Sequence, residues 1–145
     1  MKRNILQRGF TLIELLVVVA IIGILSSIVL VSLNSARAKG RDASAKGSVS
    51  SIRAAAEIYY DTNNNSYNGM CDDSPDVIQL MDAAERQVGQ APECASDDFA
   101  YAVTVPLNAG DDKFFCVDST GFAGDFTSDG DLIIEQGTST SCQSL

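Results

Sequence analysis

The sequence predicts an α+β protein in which one long N-terminal helix precedes a short second helix and a small antiparallel sheet. Three observations lead there. Phe10 to Leu33 is a predominantly apolar run with a single charge, Glu14. Beyond it Ala45, Val49, Ile52, Ala56 and Tyr59 recur at spacings of 4, 3, 4 and 3, which puts them in one stripe along a helix. After Pro92 the pattern changes to short β-rich stretches separated by turn clusters.

The first helix is expected to continue from the apolar run to about Tyr60, with Arg41, Arg53 and Glu57 off its apolar stripe. The 24 residues from Phe10 to Leu33 exceed the ~20 needed to span a bilayer. Gly23, Gly40 and Gly47 each cost about 1 kcal/mol against alanine inside a helix and mark weak points along it. The turn formers Asp61 to Gly69 end it. A compact second helix follows, with Ser74 as N-cap, Pro75 in the first position and Asp76 favouring the N-terminal dipole. Val77, Ile78, Leu80, Met81, Ala84 and Val88 supply its apolar face, and Gly89 stops it. Strands are predicted over Phe99 to Val105, Lys113 to Val117 and Leu132 to Glu135. Turns at Asn108 to Asp112 and Ser119 to Gly121 separate them, giving a sheet of three or four strands.

Charge is divided unevenly. Residues 1 to 60 hold eight Lys/Arg and three acids, whereas residues 61 to 145 hold sixteen acids against Arg86 and Lys113. Such a C-terminal region repels nucleic acid and anionic lipid, since phosphate contacts need Lys and Arg. It also keeps a dense array of copies soluble. The chain has no histidine, which excludes His-based triads, His general bases and His metal ligands. No Gly-x-Ser-x-Gly, P-loop or dinucleotide fingerprint occurs, and the chain is expected not to be an enzyme. Cys71, Cys94, Cys116 and Cys142 all follow the apolar run, and none forms a C-x-x-C pair. In a domain exported past a membrane two disulfides are expected. Of three possible pairings, Cys71 with Cys94 and Cys116 with Cys142 each close a local loop and are preferred.

Glu14 is the feature that calls for a partner, because a carboxylate near the bilayer centre costs roughly 2.5–3.5 kcal/mol. Cutting after Gly9 frees the amine of Phe10, four residues earlier and about 6 Å away along a helix. That amine on one copy can neutralise Glu14 of a neighbour. An ordinary membrane anchor, with Glu14 at the helix N-terminus, and a secretory signal cut near Ala36-Arg37-Ala38 are the plainer alternatives. Cations on both flanks (Lys2, Arg3, Arg8; Arg37, Lys39, Arg41) leave the orientation open. Composition and spacing by themselves give a membrane anchor with one odd carboxylate.

The segment Gly9-Phe10-Thr11-Leu12-Ile13-Glu14-Leu15-Leu16, behind a leader holding Lys2, Arg3 and Arg8, resembles the class III signal of type IV pilins and related pseudopilins. The resemblance covers roughly residues 1 to 60, and the rest in outline. It implies the pilin fold, a leader 1–9 cleaved between Gly9 and Phe10 by a prepilin peptidase, and N-methylation of Phe10. A transmembrane or filament-core half (10–33), an amphipathic half (34–60) and a globular head (61–145) would follow. Many members carry a proline in the membrane segment. This chain has none before Pro75, so the helix unwinding that the resemblance suggests is not supported here.

Two acidic stretches invite a metal. Asp61, Asn63 and Asn65 have calcium-loop spacing with Asp72 at the twelfth place, but Ser66 stands where that loop needs glycine. Asp125, Asp129 and Asp131 cluster near the C-terminal end, where some pseudopilins bind calcium; a solvated acidic turn is the plainer account, and no cofactor is otherwise expected. The resemblance implies a structural subunit of a type IV pilus, assembled through its apolar helix for adhesion, motility or DNA uptake. Its partners would be copies of itself in a helical filament, the prepilin peptidase and N-methyltransferase, an assembly platform with its ATPase motor, and minor pilins. The subunit would sit as a single-pass protein in the cytoplasmic membrane before assembly and in an extracellular pilus afterwards. The alternatives are a pseudopilin of a type II secretion system and a membrane-anchored binding protein or enzyme.

Overall fold

The computed structural model of the chain describes residues 9–110, 113–127 and 142. The chain divides into two compact units, Met1–Ala36 and Arg37–Leu145. Helix α1 covers Leu12–Thr62, so it begins in the first unit and ends in the second. The helix predicted from the apolar run and the stripe behind it is thus one continuous element, and Gly23, Gly40 and Gly47 do not interrupt it.

In the second unit α1 is followed by α2 (Met70–Asp73), α3 (Pro75–Val88) and the strands β1 (Glu93–Ser96), β2 (Tyr101–Pro106), β3 (Lys113–Asp118) and β4 (Ala123–Thr127). The strands form one antiparallel sheet in the order β1-β2-β3-β4. The α+β class follows from these elements. The turn-forming run works as expected, with Asn64 and Asn65 both at positive φ (54° and 60°), a region Asn tolerates better than most residues. Gly69 at φ 83° then starts α2, a helical turn the sequence reading missed. Ser74 caps α3 by accepting from the Val77 N–H, Pro75 opens it, and Gly89 at φ 78° closes it with its N–H on the Glu85 carbonyl.

The core lies between the stripe of α1 and one face of the sheet. Ala45, Val49, Ile52 and Ala56 are fully buried with Tyr101, Val103, Val105, Phe115 and Val117, joined by Met70, Val77 and Ala84 from α2 and α3. Alternation by two along β2 sends Ala102 to the opposite face, where it packs with Ala95, Cys116, Cys142 and Phe122. β2 is therefore buried on both sides, Tyr101 through Val105.

Two strand expectations need correction. The strand predicted from Phe99 begins at Tyr101. Phe99 stands 88% exposed in a turn where the Asp97 carboxylate accepts from the Phe99 and Ala100 N–H groups, both at 2.8 Å. The stretch containing Asp125, expected as an acidic turn, is strand β4, with Phe115 opposite Asp125 in register. The predicted strand Leu132 to Glu135, the turn residues Asp111 and Asp112, and the leader cations Lys2, Arg3 and Arg8 lie outside the described residues.

Candidate functional site

The start of α1 holds the residues that the sequence singles out. Thr11 is the N-cap. Its hydroxyl accepts from the Glu14 N–H at 3.3 Å and donates to Glu14 Oε2 at 2.7 Å, while the Thr11 N–H donates to the same oxygen at 2.9 Å. This is a reciprocal capping box, which satisfies N–H groups that a helix start otherwise leaves without partners. The Thr-x-x-Glu spacing of Thr11 and Glu14 is the sequence signal for this box. Within one chain Glu14 thus has a local role, anchoring the first turn. Its other oxygen, Oε1, appears in none of these bonds.

Gly9 and Phe10 precede the helix and are exposed, Phe10 at 84%. A Cβ added at Gly9 meets nothing within 4 Å, so the described chain sets no need for glycine at that junction. Leu12, Ile13, Leu15, Leu16 and the apolar residues after them, through Leu33, are exposed apart from Val31, whose side chain is not described. This helix is long and apolar enough to cross a membrane. Exposure of that extent on every side of a helix marks a surface completed by something else, lipid or another chain.

The remaining candidates lie in the second unit. Disulfides join Cys71 to Cys94 and Cys116 to Cys142. The first ties α2 to β1, and the second covers the sheet face away from α1. Of the acidic triad, Asp125 forms an ion pair with Lys46 at 2.6 Å, and Lys46 also stands 5.7 Å from the Phe115 ring centroid. Asp129 and Asp131 lie outside the described residues. In the calcium-like loop, the Asn63 side-chain amide donates to the carbonyls of Ser66 and Asn68. Among the described residues no group of three or more His, Cys, Asp or Glu converges to hold a metal.

Two buried carboxylates escaped the sequence reading. Asp42 on α1 accepts from the Asn108 N–H (2.7 Å), the Asn108 side chain (3.0 Å) and the Ala109 N–H (2.8 Å), pinning the loop after β2 to the helix. Asp118, at the end of β3, accepts from the Thr120 hydroxyl and the N–H groups of Thr120, Phe122 and Cys142. Burial pushes its carboxyl up, but these bonds together outweigh that and hold it below the ordinary aspartate value. Sequence offered no signal for Asp42, because its donors are set by tertiary folding, whereas Asp118 takes three of its four bonds from Thr120 and Phe122 in the turn just after it, an Asp-turn pattern that was readable. A third acid, Glu57, accepts from Tyr67 Oη at 3.0 Å. Burial first, and then this bond and charge, push Tyr67 up to about 12.

Comparison with known proteins bears on the N-terminal segment. Residues 6–30 match the model of the prokaryotic N-terminal methylation motif. The type II secretion system core protein G of Pseudomonas aeruginosa is 43% identical over 53 residues, 37% of this chain and 37% of that protein. The chain thus aligns with well under half the length of this relative. No solved structure matches the chain. The chain thus carries the prokaryotic N-terminal methylation motif at the head of a long apolar helix, in a protein of α+β class with a small antiparallel sheet.

Proposed function

We propose that the chain is a structural subunit of a type IV pilus filament, processed between Gly9 and Phe10, methylated on Phe10 and assembled through α1. The observation that carries this reading is the exposed apolar half of α1 behind the matched motif. Membrane lipid covers that half before assembly, and the same halves of neighbouring subunits cover it in the filament. The amphipathic half adds support. Its outward side is built from Ala36, Gly40, Ala43, Gly47, Ser50, Ala54 and Ile58, all exposed and uncharged, where a helix face meant for water carries charge. A Cβ at Gly40 or Gly47 meets open space, so the fold of a single chain does not require glycine there; close approach of a neighbouring helix accounts for it. The role is structural rather than catalytic.

In this reading Glu14 exchanges one local bond for the neighbour's Phe10 amine, which matches a carboxylate with an ammonium inside an apolar core. A pseudopilin of a type II secretion system is the second reading, favoured by the similarity to core protein G. Electron microscopy of cells and assay of their secreted proteins separate the two. Loss of long surface filaments on deletion, with secretion intact, supports the pilus; loss of secretion without loss of filaments supports the pseudopilin. Wild-type-like filaments from Glu14→Ala cells contradict the role given to that carboxylate.

A further inference from the structure

The segment just beyond the apolar run carries Arg37, Lys39 and Arg41, all exposed. None of the three makes a hydrogen bond or ion pair among the described residues. The acids of the same stretch are occupied elsewhere. Asp42 turns inward to the backbone N–H groups of Asn108 and Ala109, and Glu57 takes the Tyr67 hydroxyl. Lys46, by contrast, has its partner in Asp125. Among the described residues this cluster of three cations therefore has no acidic partner, on a chain whose formal net charge is −9.

The complement lies on the same chain. Residues 61–145 hold sixteen acids against two cations, and Asp61, Asp72, Asp73, Asp76, Asp82 and Glu85 are exposed. Heads of that charge repel one another when packed side by side. Offsetting the repulsion takes opposite charge at contact distance, because screening removes it beyond about 8 Å at physiological salt. Arg37 and Arg41 share a helix face, and Lys39 points roughly 200° away around the axis. The helix thus offers positive charge on two sides.

We propose that Arg37, Lys39 and Arg41 are a docking surface for the acidic head of a second copy of this chain. The proposal rests on the filament reading above. Anionic lipid headgroups are the competing occupant, since Arg37 lies about 6 Å past Leu33 along the helix. The second copy is favoured because the complementary charge is built into each subunit in the same stoichiometry.

Zero-length carbodiimide coupling of intact filaments, followed by peptide mass spectrometry, tests this directly. The expected result is an amide between Lys39 Nζ and a carboxylate of residues 61–145 in a covalent dimer, absent from detergent-dispersed monomer. The triple variant Arg37→Glu, Lys39→Glu, Arg41→Glu is expected to lower filament yield at least tenfold while leaving thermal unfolding of the head unchanged. Filaments without Lys39 coupling, or normal assembly of the triple variant, overturn the docking alone. So does a triple variant that loses binding to phosphatidylglycerol vesicles yet assembles normally, which assigns the surface to lipid. Wild-type cells that make no filament overturn the filament reading and this proposal with it.

Discussion

The two halves of α1 both present apolar residues, but in different patterns and in opposite environments. In the second half Ala45, Val49, Ile52 and Ala56 are fully buried by the chain's own sheet and short helices. In the first half Leu16, Val19, Ile22 and Leu25 all stand more than half exposed. The second half uses one stripe and leaves its other faces polar or small; the first is apolar all round. A stripe can be satisfied by one sheet, whereas an all-round apolar surface needs a surrounding medium of lipid or several neighbours. In the filament reading, one helix thus holds a folding element and an assembly element in series.

Core truncation separates the two halves most sharply. Ile52→Ala is expected to destabilise the head by about 2–5 kcal/mol, read as a lower melting temperature of the detergent-dispersed chain by near-ultraviolet circular dichroism. Leu25→Ala is expected to leave that transition in place and to weaken assembly. Equal effects of the two on head unfolding would erase the distinction.

Removing the Cys116–Cys142 disulfide by a double change to serine is the next largest effect. A bridge of this kind contributes typically about 2–4 kcal/mol, by restricting the unfolded chain in the loop-entropy account. The loss should appear as a lower head melting temperature with membrane insertion unchanged. Non-reducing peptide mapping of the wild-type chain checks the premise, since free thiols at Cys116 and Cys142 would contradict it.

Acid should act on the head through Asp118. Its folded-state pKa is depressed, so its contribution is fully present above the unfolded value, near about 4, and is lost as pH falls through the folded value. Asp118→Asn is expected to lower the melting temperature at neutral pH and to flatten its fall in acid. An unchanged acid slope would remove Asp118 from the account. The smallest effect expected is Ser74→Ala, about 0.5–2 kcal/mol from loss of the α3 cap, again confined to head unfolding.

What the sequence made legible was what local chemistry decides. The 3.6-residue period located the α1 stripe, and Ser74, Pro75 and Gly89 bounded α3 because caps act within one turn. β4 was illegible because Ala123-Gly124-Asp125 is a poor strand former. Pairing with β3 and the Lys46 contact, 79 positions away, hold it in the sheet. β1 is a strand of Glu-Cys-Ala-Ser that depends on pairing with β2 and on the Cys71 bridge. At the site, Gly9, Phe10 and Glu14 were visible from the motif alone, whereas the capping box needed attention to Thr11. Asp42 was invisible because its donors lie up to 67 residues distant, whereas for Asp118 only the Cys142 bond is long-range and the local turn bonds to Thr120 and Phe122 needed attention to the residue before the turn cluster.

The account depends most on the first half of α1 beginning, in the working protein, at a new amine. Intact-mass and terminal-peptide mass spectrometry of the chain purified from cells measures that beginning. The account predicts a mature chain starting at N-methylated Phe10. A chain starting at Met1, or cut near Lys39, would contradict it.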